Sequence, residues 1–230
     1  MPSVREIAQV IDLSAVRADS DEAEIQALVG LARTYHPFAV FSLPCFTGRL
    51  LDLLSDTPDI LVGGVVGFPS GGHTSRTKIG EAEELIRLGC GELDMVINIG
   101  WLRSGRNQDV LADIKAVVAA SEGIPVKVIL ECGYLTREQI DVASLLCIEG
   151  GASFAKTGTG WGSTKTSVED IRAIKAVVGD SIGIKAAGGV GDLSTLLQMQ
   201  EAGAMRFGIG VRSARRIFDE CDKNPVGIVG

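Results

Sequence analysis

Short apolar runs rich in β-branched residues recur eight times along this chain, each followed by a longer amphipathic stretch. The runs fall at residues 9–13, 38–43, 60–67, 91–97, 126–131, 153–156, 183–185 and 205–208. The clearest helical stretch is 168–178, where Val168, Ile171, Ile174, Val177 and Val178 recur at the spacing of one helix face. Another, 193–201, ends just before Gly203, a helix stop signal. Strand and helix patterns alternate with no two strands in succession, which implies parallel strands joined by crossover helices. Eight such units fill the 230 residues and leave no room for a second domain. The expectation is an α/β fold of the (β/α)8, TIM-barrel class, with residues 1–230 as one domain. An open, doubly wound sheet is the structural alternative.

Composition narrows the partners. Twenty-two Lys and Arg against 29 Asp and Glu give a net charge of −7, and the basic residues are scattered. A nucleic-acid binder would concentrate them on a face or stripe. The five cysteines, Cys45, Cys90, Cys132, Cys147 and Cys221, form no CxxC and are odd in number, so neither a disulfide framework nor a zinc site is expected. His36 and His73 stand far apart, which argues against a histidine metal site. The N-terminus lacks a leader-like apolar segment, and no apolar run approaches the roughly 20 residues needed to cross a bilayer. A cytoplasmic protein acting on a small molecule, without metal, membrane or nucleic acid, is the expectation.

In a barrel of this kind, chemistry gathers at the C-terminal ends of the strands. The polar residues expected there are Asp12 and Ser14 after the first strand, Asp94 and Asn98 at the fourth, Glu131 at the fifth, Lys156 at the sixth and Lys185 at the seventh. Lys156 closes SFAK and opens TGTG; Lys185 closes GIGIK and opens AAGG. A single lysine at a strand end is readily explained as a solvated terminus or a salt bridge. Two lysines and an aspartate at one mouth are harder to explain as packing. A lysine attacks a carbonyl only as the neutral amine, and a free lysine, with a pKa near 10.4, is almost never neutral at pH 7. Burial and a second cation both depress that pKa, so Lys185 beside Lys156 suits Lys156 to form an iminium with an aldehyde or ketone. Asp94 could then hold the lysines in register and help move protons through a water, or it could be a purely structural partner.

The glycine-rich loops suit an anion. Thr159 and Gly160 after strand six, and Gly188 and Gly189 after strand seven, expose backbone N–H groups where no side chain blocks approach. Barrels often hold phosphate near strands seven and eight. The same glycines could simply form tight turns.

The segments IDLSAVRADSDEAEI (11–25), VVGFPSGGHTSRTKIGEAEELI (65–86), ELDMVINIG (92–100), VKVILECGYLT (126–136), FAKTGTGW (154–161) and IKAAGGV (184–190) occur in an order that resembles the deoxyribose-phosphate aldolase family. The resemblance runs from Ile11 to about Ala214. It implies a class I aldolase without metal or organic cofactor, cleaving 2-deoxyribose 5-phosphate to acetaldehyde and glyceraldehyde 3-phosphate. It implies Lys156 as the Schiff-base lysine, Lys185 as the lysine that lowers its pKa, Asp94 in proton transfer and Asp12 in the surrounding hydrogen-bond network. It also implies that the protein can form a homo-oligomer, although no segment marks an interface.

The chain departs from the family's pattern around the pocket. Gly210 and Val211 stand where two serines usually follow the last strand, and Arg212 comes next. Arg212 either grips a phosphate or carboxylate at a helix N-terminus or is a solvated helix residue. Phe41 replaces a frequent cysteine, Leu13-Ser14 a His-Thr, and Trp161 a cation found in some members; Trp161 either stacks on substrate or covers the core. The tail CDKNPVGIVG lacks a terminal tyrosine. Alternatives are therefore a Schiff-base aldolase for a non-phosphorylated or carboxylated acceptor, a phosphate-binding barrel without catalysis, and a metal-dependent barrel aldolase, for which the histidines are poorly placed.

Overall fold

The eight strand patterns become eight parallel strands that close on themselves, each hydrogen-bonded to its sequence neighbours and the last to the first. A computed structural model describes residues 2–223; residues 224–230, where most of the comparison of the tail falls, lie outside the described residues. The strands are β1 Ile11–Ala15, β2 Ala39–Ser42, β3 Leu61–Val66, β4 Glu92–Val96, β5 Val126–Ile129, β6 Phe154–Lys156, β7 Gly183–Ala187 and β8 Arg206–Gly210. Closure excludes the open-sheet alternative.

Helices surround the barrel: α1 Val4–Ala8, α2 Glu22–Tyr35, α3 Pro44–Leu53, α4 Ser75–Leu88, α5 Ile99–Arg103, α6 Asn107–Ala120, α7 Arg137–Glu149, α8 Val168–Val178, α9 Leu193–Glu201 and α10 Val211–Lys223. Their starts are fixed locally. Asp21, Thr74, Thr136, Ser167 and Asp192 each accept a hydrogen bond from a backbone N–H in the first turn of their helix, which satisfies a donor that the helix itself cannot. The expected stretch 168–178 is α8, with Ile171, Ala173, Ile174 and Val178 buried. Ile171, Ile174 and Val178 each contribute about 1.5–3 kcal/mol when removed from water.

The first strand begins two residues later than the apolar pattern suggests. Ser3 and Glu6 form a reciprocal capping box that starts α1, and Gln9 caps its end, so β1 runs from Ile11 and contains Asp12 and Ser14 within it. The shift matters because alternate strand residues face opposite sides. Asp12 pairs in register with Gly208, and Ser14 with Gly210.

Candidate active site

Strand register brings the polar residues to one place. Lys156 lies opposite Lys185 across β6 and β7, Asp94 opposite Lys127 across β4 and β5, and Lys185 opposite Arg206 across β7 and β8. Glu92 and Asp94, two apart on β4, share a face. The Lys156 and Lys185 amines donate to the same oxygen, Asp94 Oδ2, at 2.7 and 2.6 Å. Lys185 also lies 2.6 Å from Asp12 Oδ2. Arg206 Nε donates to Asp12 Oδ1 at 3.0 Å, and Arg206 Nη2 to Glu92 Oε2 at 3.1 Å. Lys127 donates to Glu92 at 2.5 Å and lies 3.5 Å from Asp94 Oδ1.

Every member of this network is buried. A buried ion loses its hydration at a cost of several kcal/mol, so each needs partners close by. Aromatic rings complete the enclosure. Phe41 places its ring 4.3 Å from Lys185 Nζ and 5.1 Å from Lys127 Nζ, and the Phe38 ring lies 3.6 Å from the Arg206 guanidinium. The Phe41 ring fits only because β3 has glycine at 63: a Cβ there would sit 2.2 Å from it. At Gly208 an added Cβ would meet Ala187 Cβ at 2.9 Å and crowd Lys185 Cε at 3.3 Å.

The electrostatic consequence divides the two lysines. Burial lowers the Lys156 amine to about 8; Asp94 works against that change and the charge of Lys185 works with it. Burial also disfavours charge on Lys185, but Asp12 and Asp94 outweigh it and hold its amine above the ordinary lysine value. Burial opposes ionisation of Asp94 as well, yet Lys156, Lys185 and Lys127 keep its carboxyl far below the usual range. With a pKa of about 8, roughly a tenth of Lys156 is neutral at pH 7, against well under a thousandth for a free lysine. Lys156 therefore has the burial, partner and neutral fraction of an amine nucleophile, while Lys185 remains a fixed cation.

A cavity of about 630 Å³ opens above this network at the C-terminal ends of the strands. Of the residues expected there, Asn98, which caps α5, and Glu131, which holds Thr159, do not line it, while Asp12, Ser14, Asp94, Lys156, Thr159, Gly160, Lys185, Gly188, Gly189, Gly210 and Arg212 do. The lining residues differ in availability. Asp12 is fully buried and engaged by Lys185 and Arg206. Thr159 directs both its hydroxyl and its backbone N–H to Glu131 Oε2, so neither donor points freely into the cavity. Gly160, Gly188 and Gly189 have φ of +84°, +90° and +107°, left-handed values that favour glycine. The loops carrying them are tied together, since the Thr157 hydroxyl donates to Ala187 O at 3.0 Å and accepts from Ala187 N–H at 2.9 Å.

Trp161 forms part of the cavity wall. Its Nε1–H donates to Val16 O at 2.8 Å, and its ring meets Phe68 edge-on at 6.1 Å. It is 42% exposed, so it braces the mouth rather than sealing the core.

Sequence reasoning missed two groups. Lys127, Glu92 and Arg206 lie in the barrel interior below the cavity; the inward alternation of Glu92 with Asp94 was the available signal. Lys165 and Arg216 join Arg212 on the cavity rim. Arg216 is four residues after Arg212 and therefore on the same face of α10; Lys165 comes from the β6–α8 loop, where no periodicity points to it. Among the described residues no group of three or more His, Cys, Asp and Glu side chains is arranged to hold a metal ion, and no helix is long and apolar enough to cross a membrane.

Comparisons with known proteins agree with this geometry. A family model described as DeoC/LacD family aldolase matches residues 7–220. A deoxyribose-phosphate aldolase of Rhizobium meliloti (strain 1021) is 43% identical over 223 residues, covering 97% of this chain and 90% of that protein. The structure of QR15, an aldolase, superposes with a TM-score of 0.88 at 34% identity, covering 97% of each chain. A tetrameric deoxyribose phosphate aldolase from Aeropyrum pernix shares the fold, with a TM-score of 0.87 at 24% identity and coverage of 97% of this chain and 94% of that one. The chain belongs to the DeoC/LacD family of aldolases.

Proposed function

We propose that this protein cleaves 2-deoxyribose 5-phosphate to acetaldehyde and glyceraldehyde 3-phosphate through a Schiff base on Lys156. The observation that carries the reading is the sharing of Asp94 Oδ2 by two buried lysines, of which one has a lowered pKa and reaches the cavity. The neutral Lys156 amine attacks C1 of the open-chain sugar, and loss of water leaves an iminium. The C3 hydroxyl then gives up its proton. The C2–C3 bond breaks, its electron pair flows into the iminium to form an enamine, and C3 leaves as the aldehyde of glyceraldehyde 3-phosphate. Protonation of the enamine at C2 and hydrolysis of the imine release acetaldehyde and restore the amine.

Asp94 is held ionised and contacts both lysines, so its part is to align the amines and the water that carries protons between them. Lys185 contributes its charge. The substrate phosphate is assigned to the rim formed by Gly160, Gly188, Gly189, Gly210 and Arg212, where glycine backbone and a guanidinium face one end of the cavity.

One observation favours a second reading, an aldolase for a non-phosphorylated or carboxylated acceptor: the corner between β8 and α10 carries Gly210 and Val211, which offer no hydroxyl. Turnover of deoxyribose 5-phosphate against deoxyribose tests the choice. Strong preference for the phosphorylated sugar supports the first reading, and equal turnover favours the second.

The chain is assigned to one barrel domain acting in the cytoplasm. Five cysteines without a disulfide support that compartment. We extend to it the homo-oligomeric habit of the tetrameric Aeropyrum pernix protein; a monomeric mass in solution would remove that extension.

A further inference from the structure

The charged side chains of the barrel interior do not balance. Asp12 on β1, Glu92 and Asp94 on β4, Lys127 on β5, Lys156 on β6, Lys185 on β7 and Arg206 on β8 make three acids and four bases. At the interior positions described above, β2 and β3 supply Phe41 and Gly63, which carry no charge. The connections are unequal. Arg206 touches Asp12 and Glu92, Lys185 touches Asp12 and Asp94, and Lys127 touches Glu92 closely and lies within 4 Å of both aspartates. Lys156 touches Asp94 alone, on an oxygen already shared with Lys185. It is also the most exposed of the three interior lysines, at 7% against 0 and 1% for Lys127 and Lys185.

We propose that Glu92 and Lys127, beneath the cavity, are positioning residues that set how much of Lys156 is free amine. They complete a closed network whose one unmatched positive charge falls on Lys156. Neither lines the cavity, so neither acts as a catalytic residue. Lys127 acts through Asp94, whose other carboxylate oxygen holds Lys156. Glu92 acts by neutralising Lys127 and Arg206. Removing a base from the network removes the surplus and favours protonated Lys156. Removing an acid enlarges the surplus and favours the free amine. Charge counting therefore demands opposite effects from two residues that touch each other.

This inference rests on the Schiff-base reading, and the same experiment separates the two. The rate of acetaldehyde trapping by borohydride at Lys156, mapped by peptide mass spectrometry, is measured against pH for the full chain and for Lys127→Met, Glu92→Gln and Lys127→Arg. The expected midpoint rises by about one pH unit in Lys127→Met and falls by about one unit in Glu92→Gln, since a unit charge one carboxylate away acts through an effective dielectric of about 20. Lys127→Arg keeps the charge and returns the midpoint towards that of the unsubstituted protein. A merely structural role would slow trapping in all three without opposed shifts. If Lys127→Met does not fold, the near-isosteric Glu92→Gln decides alone. Labelling of Lys156 with unmoved midpoints, or with both variants shifted the same way, overturns the proposal and leaves the Schiff base intact. No label on Lys156 in the unsubstituted protein at any pH overturns both.

Discussion

The barrel interior and the cavity rim are built on different principles. In the interior, Asp12, Glu92, Asp94, Lys127, Lys185 and Arg206 come from strands whose register fixes them, and each is buried and held by at least one partner across the barrel. On the rim, Lys165, Arg212 and Arg216 come from a loop and a helix face and are exposed. Interior charges feel a low dielectric, so moving one changes the pKa of the next. Rim charges are screened by water and act mainly on what arrives. On the proposed reading, reaction type belongs to the strands and acceptor preference to the loops, and substitutions in the two regions should fail in different ways.

The largest effect is expected from Lys156→Leu. It removes the covalent step and should lower kcat/KM on the order of 10^4-fold or more while the protein still folds. Substantial residual turnover would place the nucleophile elsewhere. Asp94→Asn comes next. It leaves two buried lysines short of their shared carboxylate, at a stability cost of about 3–5 kcal/mol read from thermal or denaturant unfolding, with turnover lower by about 10^2- to 10^4-fold. Because Asp94 holds the Lys156 proton on, the pH at which activity rises should fall below its wild-type value.

Lys185→Leu should have the opposite sign. A positive charge that disfavours protonation of Lys156 is lost, so its pKa rises and the ascending limb of the pH–rate profile, placed near 8 by Lys156, moves up by about one unit. The free amine is the reactive form, so activity grows as pH rises through that value. An unmoved profile would mean that Lys185 serves another purpose.

Rim substitutions should sharpen the contrast. Arg212→Ala is expected to raise KM for the phosphorylated sugar roughly threefold to tenfold, to leave kcat nearly unchanged and to have no effect on deoxyribose itself. A fall in kcat with both substrates would tie the rim to the chemistry. The smallest effect belongs to Trp161→Phe, which loses the hydrogen bond to Val16 O but keeps a ring against Phe68. One such bond is worth about 1 kcal/mol, so KM should change no more than about fivefold.

Much of the interior was legible because strands obey a period of two. SFAK and GIGIK place two lysines at neighbouring strand ends, whereas Glu92, which the same period puts on the face of Asp94 in the run ELD, was passed over. What could not be read was which strand faces which at what register. The contact of Lys127 with Glu92 spans 35 residues and that of Arg206 with Asp12 spans 194, and only closure of the barrel creates them. The start of β1 was misplaced because the capping box of Ser3 and Glu6 holds the preceding turn as helix, a local hydrogen-bond signal that an apolar pattern does not record. The rim was least legible. Trp161 reaches Val16 across 145 residues of sequence, and the donors of Thr159 face Glu131, whose left-handed backbone (φ 57°) no pattern foretold.

The most direct test of the interior's chemistry is incubation with acetaldehyde and borohydride at pH 8, followed by peptide mass mapping. Borohydride reduces an iminium to a stable amine and so marks the reacting lysine whatever the acceptor. The predicted result is a single ethyl group on Lys156, absent without borohydride and absent in Lys156→Leu. Labelling of Lys185 instead, scattered labelling of surface lysines, or none at all would contradict the assignment of Lys156 as the nucleophile.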